Sequence, residues 1–145
     1  MGDPSHTPVG SVDRTILLSI KQRLDTAPYI RSTRLGLKHG KPTLTATFAR
    51  EYFPADVEEA YYDIRWYTSG DFEIHYQENW TDDREWKRRW DRHPRQGTRA
   101  HYHPPPDASD PGKPASLPNH YYDMLRHADR ETFEHIASHP IFDQD

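Results

Sequence analysis

The chain has 145 residues, a one-domain length, with 33% hydrophobic residues and a formal charge of −4, so no global basic field marks it as a general nucleic-acid coat protein. It has no cysteine, which excludes disulfides, zinc-thiolate sites and thiol nucleophiles. No apolar run approaches the length of a membrane span, and the N-terminus lacks the basic and apolar regions of a secretory signal, so a cytoplasmic protein with no membrane partner is expected.

Thirteen prolines and a mean hydropathy of −1.09 predict a modest core with loose ends. Residues 1–10 are expected to be a disordered tail, 11–138 a single domain and 139–145 a C-terminal tail. Four Trp, nine Tyr and five Phe mean that much of the core is aromatic.

Ser11 can cap a helix whose apolar positions, Val12, Ile16, Leu17, Ile20 and Leu24, have helical spacing, with Asp13 in its first turn and Pro28 at its end. Two strands follow, TRLGLK and TLTATF, joined by the turn HGKP; the second places Leu44, Ala46 and Phe48 on one face. YFPADVEE is a connection with room for a short helical turn.

YYDIRWYT and FEIHYQENW alternate cleanly, with Tyr62, Ile64 and Trp66, then Phe72, Ile74, Tyr76 and Trp80, on one side. WKRRWD sets Trp86, Arg88 and Trp90 against Lys87, Arg89 and Asp91, and TRAHYH sets Ala100 and Tyr102 against Arg99, His101 and His103. Residues 104–118, with six prolines, form a linker or a surface-hugging loop. Asn119 can cap a final helix with Tyr122, Leu125, Phe133 and Ile136 inward, a break at Asp129 and a stop at Pro140. The expected fold class is α+β: a mostly antiparallel sheet of about six strands, with an N-terminal and a C-terminal helix packed on one face.

Pairing Trp80 with Trp86 sets His75 opposite Asp91, and a three-residue turn at Ser69–Asp71 sets Arg65 opposite His75. Asp91 then faces His101, and Arg89 faces His103. This assembles a polar row, Arg65–His75–Asp91–His101, flanked by Arg89, Arg99 and His103. Seven Lys/Arg lie between Arg84 and Arg99. A carboxylate orients an imidazole, two imidazoles can exchange protons with a nucleophile and a leaving group, and arginines hold phosphate. The candidate catalytic residues are therefore His75, Asp91, His101 and His103. Arg65, Arg89 and Arg99 are the candidate substrate contacts, with Tyr67 or Tyr61 as a base-stacking ring. Together they suggest a ribonuclease that needs no metal or other cofactor.

Two other readings fit the same residues. The outer face of an antiparallel sheet is polar in any case, and an Arg- and aromatic-rich face can bind a protein or nucleic acid without chemistry. The His101/His103 pair, with His75 or Asp91, could also ligate a metal. His93 reads as a loop residue, and His120, His127, His135 and His139 as surface of the final helix. The four tryptophans read as core.

The segments DIRWYTSGDFEIHYQENW, WKRRWDRHP and RAHYHPPPDA resemble the TumE family of prokaryotic toxin–antitoxin toxins over about residues 30–110. The shared features are a short antiparallel sheet, a strand with a His-Tyr pair, a W-D strand, and a His-rich segment running into prolines. The matching positions are His75, Trp90, Asp91, His93, His101 and His103; the long proline segment and longer final helix depart from the pattern. The resemblance implies a small growth-inhibiting cytoplasmic protein with a cognate antitoxin as partner and RNA as substrate.

Overall fold

A computed structural model describes residues 7–94 and 99–139. The elements are α1 (Arg14–Asp25), β1 (Ile30–Lys38), β2 (Lys41–Phe48), a 3₁₀ turn at Arg50–Tyr52, β3 (Val57–Trp66), β4 (Phe72–Trp80), β5 (Glu85–Arg92), β6 (Ala100–His103), β7 (Lys113–Pro114) and α2 (Tyr121–Ala137). The strands form one antiparallel sheet in chain order, β1 to β7. The α+β expectation stands, with seven strands in place of six because Lys113–Pro114 pairs with β6. Residues 1–6, 95–98 and 140–145, which include most of both expected tails and Pro140, lie outside the described residues. Within the expected N-terminal tail, Val9 N–H donates to Asp71 Oδ2 at 2.9 Å.

One face of the sheet is dry. Leu44, Ala46, Phe48, Tyr62, Ile64, Trp66, Phe72, Ile74, Tyr76 and Trp90 are buried there against Leu17, Ile20 and Leu24 of α1 and Met124, Leu125 and Ala128 of α2. Each buried Leu, Ile, Met or Phe side chain there contributes about 1.5–3 kcal/mol by leaving water. Trp66 and Trp90 lie inside this core, and Trp80 and Trp86 pack at its edge.

The cap of α1 is Asp13, not Ser11: its carboxylate accepts from Ile16 N–H at 3.1 Å. Ser11 and Val12 are used otherwise, because Ser11 C=O accepts from Thr68 N–H and Val12 bridges to Tyr67. Leu37 is 69% exposed, whereas Leu35 packs on the core. Helix α2 is capped by His120, whose Nδ1 accepts from Tyr122 N–H at 3.2 Å, rather than by Asn119. It runs unbroken through Asp129, because that carboxylate accepts from Tyr29 and Tyr62 and so does not cap a second helix.

The two central hairpins differ from the expected register by two residues. Trp66 pairs with Phe72, Arg65 with Glu73 and Asp63 with His75. Ile74 pairs with Trp90, His75 with Arg89 and Glu73 with Asp91. The loop expected at 69–71 sits one residue earlier, and the five-residue connection expected between Trp80 and Trp86 shortens to three. Tyr67 N–H to Asp71 C=O closes the loop 68–70, and Trp80 N–H to Arg84 C=O closes the loop 81–83. The last loop residue, Gly70 at φ 92° or Asp83 at φ 69°, is left-handed, as three-residue hairpin loops require. Turn geometry thus overrode the Trp80–Trp86 pairing. A slip of two keeps every side chain on its expected face. The β5–β6 register matches the expectation: Asp91 opposite His101 and Arg89 opposite His103.

Candidate functional site

The polar face of the sheet holds two adjoining cavities that share Glu73. The first, about 440 Å³, is lined by Lys38, His39, Thr43, Tyr61, Asp63, Arg65, Glu73, His75 and Gln77. The second, about 560 Å³, is lined by Pro8, Phe72, Glu73, Arg89, Asp91, His93, Asp110 and Pro111.

In the first cavity His75 is half-buried and held by a side-chain relay. Gln77 Nε2 donates to Asn79 Oδ1 at 2.7 Å and to Glu85 Oε2 at 2.8 Å, which turns Gln77 Oε1 towards His75 Nε2 at 2.9 Å. The ring proton therefore sits on Nε2, and Nδ1 is left to accept one. Burial pushes the His75 pKa below its ordinary value; the Gln77 bond opposes this and the Arg89 charge adds to it. The ring is neutral at neutral pH.

Arg65 is fixed by Nε to Thr43 Oγ1 at 2.9 Å and Nη2 to Lys38 C=O at 2.7 Å, with Glu73 at 3.9 Å. Lys38 Nζ bonds both oxygens of Asp63 at 2.9 Å and stands 5.1 Å from the centre of the Tyr61 ring. Burial, with the Asp63 and Glu59 charges, pushes the Tyr61 pKa up to about 12, so its hydroxyl stays protonated. His39, at the β1–β2 turn with φ 52°, completes the wall. Sequence reasoning read HGKP only as a turn and missed it; the sign was an imidazole at the tip of a hairpin whose strands both carry lysine.

The second group forms where β5 meets β6. His103 Nε2 lies 2.8 Å from Asp91 Oδ2, and its Nδ1 lies 3.1 Å from Ser109 C=O. Arg89 donates from Nε to Asp91 Oδ2 at 3.2 Å and from Nη2 to Asp110 at 2.9 Å. Its Nη2 stands 3.3 Å from each of the two His103 nitrogens. Burial opposes ionisation of Asp91, but the His103 bond and the nearby positive charges outweigh it and hold the carboxyl below its usual range.

The expected open row is therefore divided. Asp91, His101 and His103 are brought together, yet all three are at least 97% buried. The proline-rich segment is the reason. It folds back, with Lys87 N–H donating to Pro106 C=O and Ala115 N–H to Ala100 C=O, and Gly112 presses on the His103 ring. His75 lies across from Arg89 and two strands from β6, about 10 Å away by strand spacing. Arg99 ion-pairs with buried Asp71 and is not among the residues lining either cavity. Tyr67 is 3% exposed and offers no ring to a base; Tyr61 does.

Two of the histidines expected on the surface of α2 are structural. His135 stacks on Trp86 with ring centres 3.7 Å apart and bonds the fully buried Glu78 at 2.8 Å. His139 stacks on Trp80 and is 3% exposed. The signal was Glu78 itself, a carboxylate on the apolar side of its strand. His127 pairs with Glu131 at 3.1 Å.

A family model described as Toxin TumE matches residues 17–135, most of the chain and both helices as well as the sheet. The chain belongs to the TumE toxin family. No curated protein and no solved structure matches it. The match extends the sequence resemblance at both ends and takes in the proline segment and α2, so those features lie inside the TumE region. No helix among the described residues is long and apolar enough to cross a membrane.

Proposed function

We propose that this TumE family member is the toxin of a toxin–antitoxin pair, held in check by a cognate antitoxin protein, and that it cuts RNA in the cytoplasm. One observation carries the reading: a single cavity gathers a neutral, relay-held imidazole, a second imidazole, two cationic side chains and an aromatic ring. His75 Nδ1 takes the proton of the ribose 2′-OH. The 2′-oxygen bonds to phosphorus, the bond to the 5′-oxygen breaks, and His39 supplies that oxygen with a proton. The products are a 2′,3′-cyclic phosphate and a 5′-hydroxyl. Arg65 and Lys38 offset charge developing on the phosphoryl oxygens, and Tyr61 stacks a base. Asp91 and His103 support the neighbouring wall through Arg89.

The test is cleavage of RNA by the purified chain, read beside growth arrest. His75→Ala should cost roughly 10²- to 10⁴-fold in cleavage rate, the usual contribution of a positioned acid or base, with unchanged circular dichroism. Full cleavage by that variant overturns the assignment. Full growth arrest by it, with arrest lost in Arg65→Glu, would instead identify the face as a binding surface without chemistry.

A further inference from the structure

Asp91 uses its two oxygens differently. Oδ2 is taken by His103 Nε2 at 2.8 Å and Arg89 Nε at 3.2 Å. Oδ1 is buried and accepts no hydrogen bond from the described residues. Two imidazole nitrogens face it, His101 Nδ1 at 3.4 Å and His93 Nε2 at 3.6 Å. Both distances exceed the roughly 2.7–3.2 Å of an ordinary hydrogen bond. They suit atoms that share one tetrahedral ion: ligands 2.0–2.1 Å from zinc stand roughly 3.3 Å from each other. The three candidate ligand atoms all lie within 4.8 Å of one another.

The surroundings support ligation. His93 Nδ1 lies 3.2 Å from Pro94 C=O. Donation there leaves the Nε2 lone pair turned to Asp91, the pattern by which a carbonyl fixes the tautomer of a ligating histidine. His103 and Arg89 anchor the carboxylate from behind. The Arg89 guanidinium is itself offset by Asp110 at 2.9 Å and Glu73 at 3.7 Å.

We propose that Asp91 Oδ1, His93 Nε2 and His101 Nδ1 bind a divalent transition-metal ion, zinc by the match of two imidazoles and one carboxylate to its preferences. Magnesium and calcium demand more oxygen ligands than this set provides. Asp91 and His93 line the 560 Å³ cavity beside Glu73, so a fourth coordination position opens into that cavity. This is not the set that the H-x-H spacing suggests. His103 is spent on the other oxygen of Asp91 and sealed by the proline loop; His93, two residues from Asp91 on the same polar side, replaces it. The site does not depend on RNA cleavage, and its test needs no RNA.

Tag-free full-length protein, stripped with chelator and dialysed, is titrated with Zn²⁺ in a calorimeter and separately loaded with Co²⁺. Wild type should take up one Zn²⁺ per chain, and the Co²⁺ form should show the strong visible bands of a four-coordinate ion. His93→Ala, at a half-buried strand end, should fold normally and bind Zn²⁺ at least roughly 100-fold more weakly, since loss of an outer partner alone costs 10- to 100-fold. Asp91→Asn should behave likewise. His139→Ala should bind as wild type does, which separates this site from the Glu78–His135 cluster. Absence of stoichiometric uptake by wild type, or unchanged affinity in His93→Ala, overturns the proposal.

Discussion

Asp91 and His103 meet at 2.8 Å between neighbouring strands, and both are shut off from solvent by a loop that belongs to neither strand. Gly112 makes that closure possible. It sits at φ 76°, and a Cβ there would stand 2.8 Å from His103 Nδ1 and 2.9 Å from Tyr102 C=O. Gly112→Ala should therefore cost about 1–3 kcal/mol for the left-handed backbone alone, more once the clash is included. Urea unfolding measures the loss, and solvent exchange of the His103 ring proton should quicken. Wild-type stability in Gly112→Ala would show that the loop does not pack as described.

The base assigned to His75 makes a claim about pH. Burial lowers its pKa from 6.5, so the neutral ring persists on the acid side of that value. The acid limb of the RNA-cleavage profile should lie below pH 6.5 and vanish with His75→Ala. A limb above pH 6.5 would place the titrating group elsewhere.

Glu78 gives a second pH effect, on stability. Burial alone would raise its pKa, but the His135 hydrogen bond and charge, with the Tyr76 hydroxyl at 2.7 Å, bring it below 4.5. Between the folded value and 4.5 the unfolded chain binds more protons, so stability rises with pH across that window. The contribution is fully present above 4.5 and is lost as pH falls through the folded value. Glu78→Gln should flatten this dependence in urea midpoints taken at neutral pH and below pH 4.5. An unchanged slope would remove Glu78 as its source.

Tyr62 joins the sheet to α2. Its hydroxyl lies 2.8 Å from Asp129 Oδ1 and 2.9 Å from Thr132 Oγ1, inside the core. Tyr62→Phe leaves the Asp129 carboxylate short of a donor and the Thr132 hydroxyl short of a partner, and should cost about 1–3 kcal/mol, read as a lower midpoint of chemical unfolding. A change under about 0.5 kcal/mol, the range of ordinary surface substitutions, would mean that water replaces the hydroxyl.

Side-chain alternation was enough to sort Tyr62, Ile64, Ile74, Tyr76 and Trp90 inward and Arg65, His75, Arg89, Asp91 and His101 outward, because that pattern has a period of two and survives a slip of two. Register was not legible, since it hangs on which residue of each loop goes left-handed, Gly70 or Asp83, and composition favours several choices. Burial of His101 and His103 was not legible either. It depends on a proline segment returning along β6, and a return path has no periodicity to read. His93 lies just past β5, as the loop reading expected; the Asp-x-His spacing was the sign that its ring turns back towards Asp91.

The sheet runs in chain order, so each strand can zip onto the one just made through a short connection. Its aromatic face depends on pieces from far apart, however: Tyr29 and Asp129, 100 positions distant, bond to each other. During synthesis the strands leave the ribosome before α2 does, and their tryptophans and tyrosines stay half-covered until it follows. An emerging chain of this toxin therefore offers chaperones a sticky surface for as long as its last helix is still in the exit tunnel.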